Sequence, residues 1–280
     1  MNLNFTKMHG CGNNYIYVNC FNRNPDDFSQ ISIKLSHRRF GVGGDGVIYI
    51  CPSETADAKM RMFNADGSEG KMCGNGIRCV GKYLFDNNMV NGDTVTIETL
   101  SGTKTLKAYR NAEGEVTSLR VDMGKAEFIC KNIPVLAESE EAINIPLTVD
   151  GKEYRITCVS MGNPHCVVFE NDIKSLDLEK TGPHFEHHDI FPEGVNTEFV
   201  KINSQTDISM RVWERGSGET WACGTGACAC VAAAVKNGFC KENTDVTVHL
   251  IGGDLVINYS DERVLMTGPA VTVFNGNVEI

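Results

Sequence analysis

Two cysteines open two matched glycine-rich turns, Met72-Cys73-Gly74-Asn75-Gly76 and Ala222-Cys223-Gly224-Thr225-Gly226, which lie 223 − 73 = 150 positions apart. Each turn runs into a segment that reads as a helix. A thiol at a helix start sits among unpaired backbone N–H groups and the positive end of the helix dipole, and both favour its thiolate. The same N–H groups can hold a carboxylate whose charge grows as its α-carbon loses a proton. Two matched proton carriers suit a reaction that takes a proton from one face of a carbon and returns it to the other.

The offset of 150 extends beyond the cysteines. Gly12-Asn13 maps onto Gly162-Asn163, Met60-Arg61 onto Met210-Arg211, Phe63 onto Trp213 and Glu69 onto Glu219. Val95-Thr96-Ile97 matches Val246-Thr247-Val248 after a one-residue slip. The constant register points to an internal duplication. Two similar halves are expected to face each other and supply one cysteine each to a site between them, a common place for ligands.

The elements that must position these residues are mostly short strands bounded by Gly, Asn, Asp or Pro. In the first half they are read at Tyr15–Val18, Gly46–Ile50, Lys59–Phe63, Thr94–Thr99 and Thr103–Tyr109. The second half repeats them at Cys166–Phe169, Thr197–Ile202, Ile208–Trp213, Asp245–Leu250 and Asp254–Tyr259. Helices are expected at Gly76–Asp86, where Ile77, Val80 and Leu84 form one face, and at Gly226–Asn237, which is apolar nearly all round and therefore buried. Pro25–Arg39 and Ile173–Phe185 read as a second matched helical pair. The final segment, Val264–Ile280, has no partner at the offset and reads as a strand pair closing the first half.

The 280 residues carry 41% hydrophobic and 22% charged side chains, the balance of an ordinary globular chain. A net charge of −10 argues against a general nucleic-acid partner, and no signal peptide or membrane-spanning run is read. A cytoplasmic location is expected, and there the twelve cysteines do not form a disulfide framework. No C-x-x-C pair or tight His cluster suggests a metal site. Cys20, Cys51, Cys130, Cys158 and Cys240 read as small buried hydrophobes.

The motifs together resemble one family. They are Met8-His9-Gly10-Cys11-Gly12-Asn13, Phe63-Asn64-Ala65-Asp66-Gly67-Ser68-Glu69, Met72 to Cys79, Met161-Gly162-Asn163-Pro164-His165, Val195-Asn196, Glu214 to Thr220 and Ala222 to Ala227. They are similar to the diaminopimelate epimerases, cofactor-independent isomerases of lysine and cell-wall precursor synthesis, over nearly the whole chain. The resemblance implies an α+β fold of two similar lobes, each a curved, barrel-like sheet around a central helix. The expected lobes are 1–119 plus 265–280, carrying Cys73, and 120–264, carrying Cys223. By position, Cys73 and Cys223 are the proton-transfer residues. Gly74-Asn75 and Gly224-Thr225 would hold the reacting end of a small zwitterionic substrate, diaminopimelate, through backbone amides. Asn13, Asn64, Asn163, Asn196, Glu214 and Arg215 would hold the substrate, chiefly its distal end, with His165 and Glu214 as candidates for tuning the thiols. No cofactor, metal, nucleic acid or membrane is implied. A homodimer is the expected assembly, although the sequence itself leaves oligomeric state open.

The residues allow plainer readings when taken singly. Asn13 and Asn163 read equally well as turn formers, His165 as a satisfied core histidine, and Glu214-Arg215 as a solvated strand pair. Two positions depart from the family pattern: Gly46, where some members carry Gln, and Asn14, where Asp is common. A proline or hydroxyproline racemase of the same fold is disfavoured by Asn75, because those enzymes typically read Cys-Gly-His-Gly at the first turn. A non-catalytic thiol or metal-binding protein is the alternative from another class.

Overall fold

The computed structural model describes residues 2–280. They form two compact units, Met1–Asp122 with Thr267–Ile280, and Met123–Met266.

In the first unit, β1 (Asn2–Gly10) turns into β2 (Asn13–Asn19), and the chain crosses over through α1 (Phe28–Ser36) to β3 (Gly46–Cys51). After β4 (Ala58–Asn64) and the short β5 (Glu69–Gly70), a second crossover runs through α2 (Gly74–Asp86) to β6 (Thr94–Thr99). Strands β7 (Gly102–Arg110) and β8 (Val116–Gly124) complete a meander. Both crossovers join parallel partners, β2 with β3 and β4 with β6, while neighbours linked by tight turns pair antiparallel. The β1–β2 link is two residues long, and both have positive φ, Cys11 at 54° and Gly12 at 80°. That conformation matches the twist of a hairpin and fixes the register that starts β2 at Asn13.

The second unit repeats the plan. A hairpin of β9 (Ile145–Val149) and β10 (Lys152–Ser160) leads to β11 (Pro164–Phe169), which crosses through α3 (Leu178–Glu186) to its parallel partner β12 (Asn196–Ser204). From β13 (Asp207–Glu214) and the short β14 (Gly218–Thr220), α4 (Gly224–Lys236) crosses to β15 (Asp245–Leu250), parallel to β13, and β16 (Gly253–Tyr259) follows. The chain leaves the second unit within β17 (Val264–Pro269) and ends in β18 (Val271–Glu279), which pairs antiparallel with β1.

The repeat shows in detail. Helices α2 and α4 start and end 150 positions apart. The Arg61 guanidinium donates to both oxygens of Glu69, at 2.7 and 2.9 Å, and Arg211 does the same to Glu219, at 2.7 and 3.0 Å.

Each second crossover helix is the centre of its unit. In α2, Ile77, Val80 and Leu84 are fully buried, and the helix packs on β1, β2, β6 and β7. In α4 every residue from Ala227 to Ala234 is fully buried, among β10 to β13, β15 and β16. Such enclosure requires a helix apolar on all sides, as its sequence indicates. Arg78, also fully buried, spans α2 and the returning C-terminal segment, donating to Gly74 O at 3.0 Å and Pro269 O at 3.2 Å.

The outer helices are shorter than their sequences suggest. Phe28 opens α1, capped by Asp27, whose carboxylate accepts from Gln30 N at 3.0 Å. Leu178 opens α3, capped in the same way by Asp177. An Asp at either position competes for the local N–H groups and fixes the helix start beyond the expected Pro25 and Ile173.

Gly46, the first residue of β3, lies opposite Asn64. A Cβ there would sit 2.1 Å from the carbonyl oxygen of Phe63 and 2.8 Å from the Tyr15 ring. The sheet backbone supplies the closer contact and cannot give way as a flexible side chain would. The glycine at this departure from the family pattern is therefore required by packing. Gly46→Ala is expected to destabilise the protein by about 3 kcal/mol or more, read as a lower urea midpoint; an unchanged midpoint would show that β3 and β4 can part locally.

Candidate active site

Cys73 and Cys223 are the N-cap residues of α2 and α4. Both have extended backbones, with φ −130° and −115°. Their sulfurs accept hydrogen bonds from Gly76 N and Gly226 N, each at 3.3 Å. Sulfur thus takes the place that the oxygen of Ser, Thr or Asp usually fills. The cap fixes each side-chain direction, and the glycines of the first turns, Gly74, Gly76, Gly224 and Gly226, are buried. Cys73 is half-buried and Cys223 buried.

In the first unit the Cys73 thiol donates to Asn13 Oδ1 at 3.3 Å. The Asn13 amide nitrogen donates to Asp45 Oδ2 at 3.0 Å. Asn75, at 2% exposure, accepts from the Arg78 guanidinium at 3.0 Å and is fixed by α2 itself. Asn64 donates to the Ser68 hydroxyl at 3.0 Å within the turn that follows β4.

The second unit assembles a longer chain of groups. Cys223 Sγ lies 3.5 Å from the Thr225 hydroxyl, whose oxygen accepts from Asn163 Nδ2 at 3.3 Å. His165 Nε2 is 3.0 Å from Asn163 Oδ1, and His165 Nδ1 is 2.7 Å from Glu198 Oε1. An amide oxygen can only accept, so Nε2 carries a hydrogen. His165 therefore reaches Cys223 through Asn163 and Thr225. Asn196 is occupied by backbone, donating to Pro164 O at 2.7 Å and accepting from Arg215 N at 3.0 Å. It thereby fixes the start of Arg215, whose exposed side chain donates to Glu193 O at 2.7 Å. The Glu214 carboxylate accepts from the Thr220 hydroxyl.

Burial pushes the Cys223 thiol well above its ordinary range, and the charges of Glu214 and Glu198 act in the same direction. The Thr225 hydroxyl and the Gly226 N–H oppose them by bonding the anion. Desolvation also holds the Glu214 carboxyl above its usual range, against the Thr220 hydroxyl. Among the described residues, no group of three or more His, Cys, Asp or Glu side chains could hold a metal ion.

Glu198 and Asp45 are site residues that sequence reasoning missed. Glu198 is fully buried, third in β12, and its Oε2 has no hydrogen-bond partner among the described residues. A carboxylate inside an apolar strand, Thr197 to Val200, was the available signal, because such a group is costly to bury without a partner. Asp45 sits in the Gly43-Gly44-Asp45-Gly46 run and carries no such signal.

A family model described as diaminopimelate epimerase matches residues 5–129 and 157–273. The chain is 51% identical to the diaminopimelate epimerase of Acetivibrio thermocellus over 280 residues, covering 99% of each chain. It is 50% identical to that of Agathobacter rectalis, covering 99% of this chain and 100% of the other. Among solved structures, a hydroxyproline epimerase from Agrobacterium vitis aligns with a TM-score of 0.71 at 15% identity, over 99% of this chain and 92% of the other. A phenazine biosynthesis protein of the PhzF family from Bacillus anthracis aligns at 0.69 and 16% identity over the whole of both chains. These two likenesses concern the α+β fold.

The two cap glycines face different neighbours. A Cβ at Gly226 would lie 2.6 Å from Glu198 Oε1 and 3.2 Å from Cys223 Sγ, whereas at Gly76 the nearest atom is the flexible Ile48 Cδ1, at 2.5 Å. Gly226→Ala is therefore expected to cut kcat at least about tenfold more than Gly76→Ala, since it displaces the fully buried, hydrogen-bonded Glu198–His165 pair, where a lost buried partner costs roughly 1–3 kcal/mol. Steady-state kinetics of the two variants decide this; equal losses would mean that the Glu198–His165 contact does not govern the second turn.

Proposed function

The chain belongs to the diaminopimelate epimerase family and is an isomerase, and from that premise we propose that it interconverts LL- and meso-2,6-diaminopimelate with Cys73 and Cys223 as its proton carriers. The observation that carries this reading is the identical capping of the two cysteines. Each sulfur is held at 3.3 Å from the third amide of its helix, at a terminus that favours negative charge.

In the proposed reaction one cysteine, as thiolate, removes the α-proton and the other, as thiol, protonates the opposite face. After turnover the two have exchanged states and titrate as a coupled pair. An α-proton beside a carboxylate is weakly acidic, so the developing charge must be met by donors already in place. The first-turn amides of Gly74-Asn75 and Gly224-Thr225 supply them. Fixed position and exclusion of water contribute the remainder. Asn13, Asn64, Asn163, Asn196, Glu214 and Arg215 are assigned to substrate binding, with Arg215 pairing with the distal carboxylate. His165 and Glu214 are assigned to tuning the thiols. The thiolate chemistry requires a reducing setting, which supports a cytoplasmic location. A homodimer completes the proposal.

Cys73→Ala and Cys223→Ala are each expected to abolish epimerisation, measured as solvent-deuterium uptake at the α-carbon together with isomer analysis, while the fold is retained. Near-normal epimerisation in either variant would refute the two-carrier assignment. Arg215→Lys loses the planar fork and is expected to raise KM at least about tenfold, in line with a charged hydrogen bond of roughly 1.5–3 kcal/mol. Unchanged kinetics would remove Arg215 from the binding set.

A further inference from the structure

Asn13 and Asn163 occupy equivalent places, 150 positions apart, yet they present opposite ends to their cysteine turns. Asn163 directs its amide nitrogen at Thr225, because its oxygen is taken by His165 Nε2–H. Asn13 directs its amide oxygen at Cys73, because its nitrogen is taken by Asp45. A carboxylate only accepts and Nε2–H only donates, so in each unit the group behind the amide decides which end faces the sulfur.

Asp45 is well built for this. Its Oδ2 accepts from Asn14 N at 2.8 Å as well as from Asn13, and its own N–H donates to Asn14 O at 2.8 Å. The buried Lys7 of β1 supplies a neighbouring positive charge: its ammonium bonds Gly43 O, and a Cβ on Gly44 would lie 2.7 Å from it. Arg38 adds a more distant, exposed one, at 3.9 Å. Asn14, the second departure from the family pattern, brings a neutral side chain to the same carboxylate, 3.4 Å away.

The geometry points to Asp45 as a positioning residue of the isomerase, one that locks the Asn13 amide with its oxygen on Cys73. The inference rests on the reading of Cys73 as a proton carrier. An acceptor on the sulfur favours the state in which Cys73 holds its proton, and so prepares it as the acid in one direction of the reaction. With the lock removed the amide can turn and donate to sulfur, which favours the thiolate. Tyr17 from β2 and Cys79 within α2 are titratable groups whose charges interact with that of Cys73. Burial raises both, Cys79 to about 11, which moves their titration away from neutral pH.

The test is the pH dependence of iodoacetamide alkylation of Cys73, followed by peptide mass spectrometry in the wild type, Asp45→Ala, Asn13→Ala and the double variant. Asp45→Ala, which leaves no acceptor behind the amide, is expected to shift the Cys73 midpoint to lower pH by about one unit, leave that of Cys223 in place, and lower kcat/KM about tenfold. Asn13→Ala, which keeps Asp45 and Lys7, is expected to shift the midpoint in the same direction. In its background Asp45→Ala should add nothing, because the carboxylate acts through the amide. An unmoved or raised Cys73 midpoint, equal shifts at both cysteines, or full additivity in the double variant would overturn the proposal. Should Asp45→Ala fail to fold, Asp45→Leu, of similar volume and also without an acceptor, takes its place in the same comparison. Alkylation requires no turnover, so failure here is separate from failure of the functional reading, which Cys73→Ala tests.

Discussion

A sulfur atom satisfies the N-terminus of each central helix, and much else in the protein follows from that bond. The first amides of a helix have no partner within it, and Gly74 to Gly76 of α2 and Gly224 and Gly226 of α4 are buried. A thiol is a poorer acceptor than a hydroxyl, and under the proposed function its use as a cap answers to a second task, carrying a proton to and from carbon. The cap holds the sulfur in place, and under the proposed function the remaining first-turn amides meet a carboxylate. The crossovers from β4 to β6 and from β13 to β15 deliver both helices in the same way.

Around this shared frame the two units differ in their buried charges. The first places the Arg78 cation behind its turn, bonded to Gly74 O and Asn75 Oδ1. The second places Glu198 there, bonded to His165. The position equivalent to Arg78 is Cys228, itself fully buried. A duplicated scaffold can supply two similar acids, but the proposed two-carrier reaction needs one sulfur protonated while the other is not. Unequal surroundings of equally positioned thiols are a physical means to that end, since each sulfur answers to the charges and dipoles nearest it.

Much of the plan was legible because it rests on local signals. The faces of α2 and α4, the glycines at the turns and the alternation in β6 and β15 are written in neighbouring residues, and those strands run over the expected residues. Strands β1, β5, β9, β10 and β14 were not read, and β8 only as whatever follows the turn at Asn111–Gly114. Lys7 and Thr6 interrupt the apolar pattern of β1 and are nonetheless buried, at 9% exposure each, because β2 and β18 flank the strand on both sides. The outer helices were read too long, since their apolar residues continue into loops that pack but do not coil. Ile173, 4% exposed ahead of α3, is one such residue.

The sequence by itself determined the duplication, the fold class, the family and the identity of the paired cysteines. These depend on residue type and spacing, which the chain carries openly. Only the tertiary structure decided what stands behind each cysteine. Asp45 meets Asn13 across 32 positions, and Glu198 meets His165 across 33, because parallel pairing of β2 with β3 and of β11 with β12 sets them side by side. No local pattern encodes which end of an amide will face a sulfur. That depends on whether an acceptor or a donor arrives from the neighbouring strand, and it is settled only when the strands pair.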